Sequence, residues 1–131
     1  MINRLATCNN ANLRVSEVIK ALETKEYIYW GNPIAYDCDY LFIHSQGEST
    51  IKGILKVKCL KERKDISKED FLFNRPKDWE TTLDFEKYFI IEGAKKVLIK
   101  IDDLKDAEGN PKKSNAMHEM SFVVWDKFQP F

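Results

Sequence analysis

The sequence predicts an α+β fold, a small antiparallel sheet or pseudo-barrel with one or two flanking helices. Three observations carry that expectation. One stretch spaces its apolar residues as a helix does, six or so stretches alternate as strands do, and turn-forming residues separate these at short intervals. The chain has 131 residues, 44% of them hydrophobic and 32% charged, enough for one domain with a real core. No repeat, low-complexity tract or Pro/Gly/Ser linker divides it, so residues 1–131 read as a single domain. Its first dozen residues (MINRLATCNNAN) are polar and Asn-rich, and are expected to lie loosely on the surface.

The helix comes first. Val15, Val18, Ile19 and Leu22 fall at i, i+3, i+4 and i+7, with Glu17, Lys20 and Glu23 on the opposite side. Asn12 or Ser16 is placed to cap its first amides. The period then changes to that of strands. Tyr27-Ile28-Tyr29-Trp30 is aromatic and β-branched, and Gly31-Asn32-Pro33 stops it. Asp39–His44 is a second strand, ended by Ser45-Gln46-Gly47-Glu48. Thr50–Leu60 is the third, with Ile51, Gly53, Leu55, Val57 and Cys59 on one face and Lys52, Lys56 and Lys58 on the other. These last two strands read as a hairpin, and Gly53 marks a bulge or a close backbone approach.

Beyond a charged connection, Ser67 followed by Asp70 resembles a capping box and predicts a short helix through Phe71–Asn74, ended by Pro76. Residues 79–87 fit loop or strand equally. Tyr88–Ile91 and Lys95–Ile101 read as two strands joined tightly at Glu92-Gly93-Ala94. Gly109-Asn110-Pro111 is a turn, and Ser121–Trp125 a closing strand.

Composition narrows the function. Lys plus Arg (21) equal Asp plus Glu (21), which argues against coating nucleic acid by bulk attraction. No apolar run reaches the length of a membrane span, and the opening residues lack the apolar core of a signal peptide. Cys8, Cys38 and Cys59 are odd in number and lack a C-x-x-C pair, so reduced thiols in the cytoplasm are expected. Cys59 reads as a small core residue, and Asp37 and Asp39 are expected to raise the thiol pKa of Cys38. None of these cysteines, nor His44 or His118, stands at a zinc spacing, and no metal or cofactor is expected. Five glycines leave no phosphate-cradling loop, no G-x-S-x-G elbow is present, and no catalytic residue is assigned. One enzyme-like pattern remains. A strand runs into Asp102-Asp103-Leu104-Lys105, which with Asp84 could hold a divalent cation as in two-carboxylate nucleases. Such acid–Lys patterns recur by chance in a Lys-rich chain, and a solvated turn is the plainer account.

Binding features are stronger. Residues 51–64 carry six basic groups against Glu62 alone, a local charge of +5, while residues 65–92 carry −4. Such a dipolar surface steers an anionic partner to one side. Among the aromatic residues, Trp30 stands out, because its ring ends a strand beside exposed backbone where a base could stack.

The order of Trp30 with Gly31-Asn32-Pro33, an apolar strand ending His44-Ser45, and Ile51-Lys52-Gly53-Ile54-Leu55-Lys56-Val57 resembles the EVE-type branch of the PUA-like superfamily. The likeness covers mainly residues 27–60. It departs from the family where Cys38-Asp39 replaces the usual Gly-Asp and where the N-terminal region is helical. The resemblance implies a pseudo-barrel with an aromatic pocket that receives a flipped, often modified, base. Trp30, Asn32, His44 and Ser45 would border that pocket, and Lys52, Lys56 and Lys58 would position phosphates of DNA or RNA. The expected function is therefore a small non-catalytic nucleic-acid-binding module. The alternative is a small inhibitor or adaptor that docks on a protein, as phage or mobile elements encode, using Met117–Met120 and the Trp125–Phe131 tail as its apolar centre.

Overall fold

The computed structural model describes residues 1–113 and 118–131. Five strands form one curled, mixed sheet in the order β1 (Asn3–Cys8), β3 (Tyr40–Ser45), β4 (Thr50–Glu62), β5 (Lys87–Lys100), β2 (Ile28–Gly31). Two helices, α1 (Ala11–Leu22) and α2 (Lys68–Phe73), flank it. The α+β class with a small curled sheet and flanking helices is thus as the sequence predicts. The sheet differs from the antiparallel expectation at one edge, where β1 runs parallel to β3.

That strand also corrects the reading of residues 1–12 as loose. Leu5 and Ala6 are fully buried, on opposite faces of the sheet. The strand has only these two strongly apolar side chains, and its partner lies more than thirty residues away, so local pattern does not reveal it. Its outer side takes backbone hydrogen bonds from the segment around 120–123, including Leu5 N–H to Ser121 O at 2.9 Å and Val123 N–H to Asn3 O at 3.0 Å. The expected closing strand at 121–125 is reduced to these contacts and isolated bridges such as Arg4 with Phe122.

α1 starts at Ala11, its cap two residues before Asn12, the nearer of the two expected caps. Asn10 is its cap, its side-chain oxygen accepting from Leu13 N–H at 3.2 Å. Asn12 and Ser16 lie inside the helix, where the Ser16 hydroxyl donates to the Asn12 carbonyl at 2.9 Å. Val15 and Val18 pack on the sheet with Leu41, Ile43, Leu55, Phe89 and Ile91. Gly53 admits Val15 closely, and the register of β4 shifts there, so both readings of that glycine hold. The opposite face is covered in two parts. Ile51, Ile54, Phe42 and Tyr40 lie under Val123, Trp125 and Phe128, while Tyr29, Tyr88 and Ile90 lie under Ile66 and Phe71.

Two elements differ from expectation. β5 is one 14-residue strand, not a hairpin. β4 offers it a partner along nearly its whole length, from Thr50 against Lys100 to Glu62 against Lys87. Gly93 makes no turn; it lies opposite Lys56, close to the Phe131 ring. Register shifts in β4 also end the simple alternation, and they leave Cys59 exposed where the pattern makes it core. α2 follows its signature closely, with the Ser67 hydroxyl accepting from Asp70 N–H at 3.1 Å. No helix among the described residues is long and apolar enough to cross a membrane.

Candidate functional site

Two neighbouring depressions lie where β1, the end of β2 and the β3–β4 turn meet. The first, of about 460 Å³, is lined by Trp30, Trp79, Arg14, Arg75 and Asn32 among others. The second, of about 580 Å³, is lined by His44, His118, Glu119, Ile34 and the Gln46–Ser49 turn. Thr7 and Pro33 border both.

In the first, two guanidiniums approach the half-buried Trp79 ring. Arg14 lies 5.5 Å and Arg75 lies 5.1 Å from its ring centre. Each arginine is held in place. Arg14 donates to Glu17 Oε1 at 3.2 Å from the outer side of α1. Arg75 follows α2, donates to Tyr29 O at 2.7 Å and Glu80 O at 2.9 Å, and stacks on Phe71. Burial lowers the Arg75 pKa, and the charge of Arg14 adds to that. Two cations facing one ring in a partly dry depression lower their mutual repulsion by taking an anion between them. Trp30 stands behind, edge-on to Trp79 with centroids 5.6 Å apart. Its residue is only 4% exposed, so it forms the wall rather than an open stacking platform.

The bridge between the depressions is a hydrogen-bonded web. Asn32 donates one amide N–H to Ile34 O at 2.8 Å and the other to Glu119 Oε1 at 2.7 Å. Glu119 also accepts from Thr7 N–H at 3.0 Å. Below it, the His44 ring is engaged at both nitrogens, with Thr7 Oγ1 at 3.0 Å from Nε2 and Glu48 O at 3.3 Å from Nδ1. A carbonyl only accepts, so in the neutral ring Nδ1 carries the proton and the Thr7 hydroxyl donates to Nε2.

The residues singled out from sequence therefore separate. Trp30 and Asn32 line the first depression and His44 the second. Ser45 borders neither; its buried hydroxyl accepts from Ala11 N–H at 2.8 Å and holds the start of α1. Lys52, Lys56 and Lys58 also lie outside both, along β4, and Lys56 pairs with Glu92 at 3.7 Å. Arg14, Arg75 and Glu119 are the residues that sequence reasoning passes over, and Trp79 is one of several rings near predicted turns over which Trp30 is preferred. They come from a helix, a loop and a distant segment, and only the fold joins them.

The remaining chemistry is placed elsewhere. Burial, more than the two neighbouring aspartates, pushes the Cys38 thiol up to about 12, and burial pushes Cys8 up to about 11. Neither is an activated nucleophile. Asp102 and Asp103 form a short turn after β5, and Lys105 pairs with Asp126 at 2.7 Å. Among the described residues, no three His, Cys, Asp or Glu side chains are grouped to hold a metal ion. The apolar centre expected of a docking surface is used internally. Phe128 and Phe131 pack on Tyr40, with centroids 4.8 and 5.3 Å away, and Met120 is buried. Met117 lies outside the described residues.

No family model, no curated protein and no solved structure matches this chain.

Proposed function

We propose that this protein is a small nucleic-acid-binding module that accommodates an unpaired base, modified or not, beside a phosphate. The observation that carries the proposal is the convergence of Arg14 and Arg75 on the Trp79 ring in an open depression walled by Trp30. Aromatic rings stack bases of any sequence, and guanidiniums take backbone phosphates, so the combination suits a single strand or an extruded base. The resemblance of residues 27–60 to EVE-type domains points the same way. The phosphate role nearest the ring passes from Lys52, Lys56 and Lys58 to the two arginines.

Fluorescence anisotropy of short labelled DNA and RNA strands, with and without modified bases, at low and moderate salt tests this reading. Saturable binding is expected, weakened about tenfold or more in Trp79→Ala and weakened with a flatter salt dependence in Arg14→Gln. Absence of binding at about 100 μM protein in low salt, weaker than ordinary non-specific contact, overturns it.

A second reading, docking on a protein, has one observation in its favour. Leu72 and Phe73 stand exposed on α2 beside a groove against α1, with Lys25 Nζ 3.5 Å from the Phe73 ring centre. Exposed apolar pairs of this kind mark interaction surfaces. Capture of a partner by the native chain and its loss in Phe73→Glu would favour that reading.

A further inference from the structure

We propose that the outer edge of β5, beyond Ile91, receives an extended acidic segment of a partner protein as an added strand. The inference is independent of the nucleic-acid reading and concerns residues that line neither depression. β5 runs to Lys100, but β2 pairs with it only from Tyr88 to Ile91. From Gly93 onward its one neighbouring strand is β4. The direction of its free groups follows from the ladder. Val57 N–H bonds to Asp39 O, on the β3 side of β4, so Lys56 and Ile54 turn their backbone groups toward β5. Their partners Gly93 and Lys95 face back, and Ala94 and Lys96 present N–H and C=O outward. Among the described residues, no other segment bonds to that side.

The edge strands β1 and β2 are covered on their outer sides. β1 takes the segment near Ser121, and at β2 Tyr29 N–H donates to Asn74 O at 3.0 Å while its carbonyl accepts from Arg75 Nη1 at 2.7 Å. Beyond Ile91, β5 has only its side chains to guard it. Lys95, Lys96 and Lys100 are exposed and form no ion pair among the described residues, and Lys127 shares a small hollow with Lys95. Glu92 is already paired with Lys56, and Asp102 and Asp103 follow only after the strand has ended. Val97 and Ile99 pack with Ile51 and Ile54, which leaves Leu98 on the other side, 76% exposed.

These side chains select the occupant. Lysines on an edge repel a second copy of the same strand, since pairing would set like charges against one another. They attract an acidic strand. A segment in which carboxylates alternate with apolar residues brings N–H and C=O groups for the ladder, an apolar neighbour for Leu98 and charge for the lysines. A nucleic-acid strand would meet the lysines but has no amide ladder to offer the backbone.

The test uses the native chain and three fluorescent peptides of about eight residues, the length of the open edge. One alternates glutamate and valine, one alternates lysine and valine, and the third is the glutamate peptide with its amide nitrogens methylated. The glutamate peptide is expected to bind saturably and to weaken as salt rises. Its affinity should exceed that of the lysine peptide by about tenfold or more, the scale of several cross-strand charge pairs. Hydrogen exchange at the Ala94 and Lys96 amides should slow in the complex. Lys95→Glu combined with Lys96→Glu is expected to exchange the preference between the two charged peptides. Equal binding of the methylated peptide overturns the inference, because charge alone then holds it without a ladder. Absence of glutamate-peptide binding overturns it too, as does protection that appears elsewhere and leaves Ala94 and Lys96 unchanged. If those two amides are instead protected in the protein alone, increasingly with its concentration, a second copy takes the edge and the acidic partner is excluded.

Discussion

Gly53 of β4 faces Val15 of α1 so closely that a Cβ added to the glycine would lie 2.5 Å from one Val15 methyl carbon and 2.6 Å from the other. This contact fixes how near the helix sits to the sheet, and through Arg14, next in sequence to Val15, it sets one side of the tryptophan depression.

Gly53→Ala is therefore expected to be destabilising although alanine is a small change. Forcing a methyl into a packed helix–sheet contact costs about 1–3 kcal/mol. Thermal unfolding checks this, with a fall in Tm of several degrees expected. Gly53→Ala with Val15→Ala should recover most of the loss, since the second change removes the colliding methyls.

The two tryptophans should respond differently to truncation. Trp30 is core, packed with Ile28, Phe89 and the rest of the α1 side, and Trp30→Ala is expected to cost about 3–5 kcal/mol. Trp79 is half-buried, so Trp79→Ala should leave the unfolding transition cooperative while removing about 1–3 kcal/mol of stacking from strand binding. Denaturant unfolding alongside anisotropy separates the two effects. A loss of binding in Trp30→Ala alone would say nothing about stacking.

Asp70 gives a signed pH prediction. Its carboxylate accepts the hydroxyls of Tyr29 and Tyr27 and the amide of Asn74, and the Tyr29 bond above all holds its pKa below the usual carboxylate value. A group with a lowered folded pKa stabilises the fold above its unfolded value, about 4, and loses that contribution as pH falls through the folded value. Stability measured from pH 6 downward should fall below about pH 4 in the native chain, and the Asp70 part of that fall should vanish in Asp70→Asn. On the alkaline side, burial and the same carboxylate raise the Tyr29 hydroxyl pKa, so Tyr29 should resist ionisation at a pH where exposed tyrosines titrate.

Ser45→Ala should affect stability and not ligand binding. The change leaves the Ala11 N–H buried without a partner, at a cost of about 1–3 kcal/mol. Strand affinity of the folded variant should match that of the native chain. An affinity change without a stability change would restore Ser45 to the site.

Legibility in the sequence followed the reach of each signal. α1, β2, β3, β4 and the cap of α2 rest on neighbours within a few residues, and each is read from periodicity or a capping pair. β1 is not, because Leu5 and Ala6 become core only through β3 and the segment near Ser121. β5 misleads because Gly93 is small for packing against Lys56 and Phe131, while in sequence a glycine between charged residues looks like a turn. The site shows the same limit. Trp30, Asn32 and His44 come from one contiguous pattern and do line the two depressions. Arg14, Arg75, Trp79 and Glu119 lie in three places along the chain, and no spacing rule links a residue of α1 to one beyond residue 113.

The hydrogen bonds between β1 and the residues near 121 also bear on how the protein forms during synthesis. Arg4 Nη1 donates to Met120 O at 2.8 Å, a contact across 116 positions, and Leu5 and Thr7 make similar ones. A ribosome delivers these partners in the order that separates them most. Until residue 123 has cleared the exit tunnel, one side of the first strand has nothing to pair with, and Glu119 has not yet reached Thr7 and Asn32. The helix and the central strands can assemble earlier, from nearer contacts. On this ordering the edge closes late and at once, and a chain interrupted before that point would carry Arg14, Arg75 and Trp79 without Glu119 held against Thr7 and Asn32.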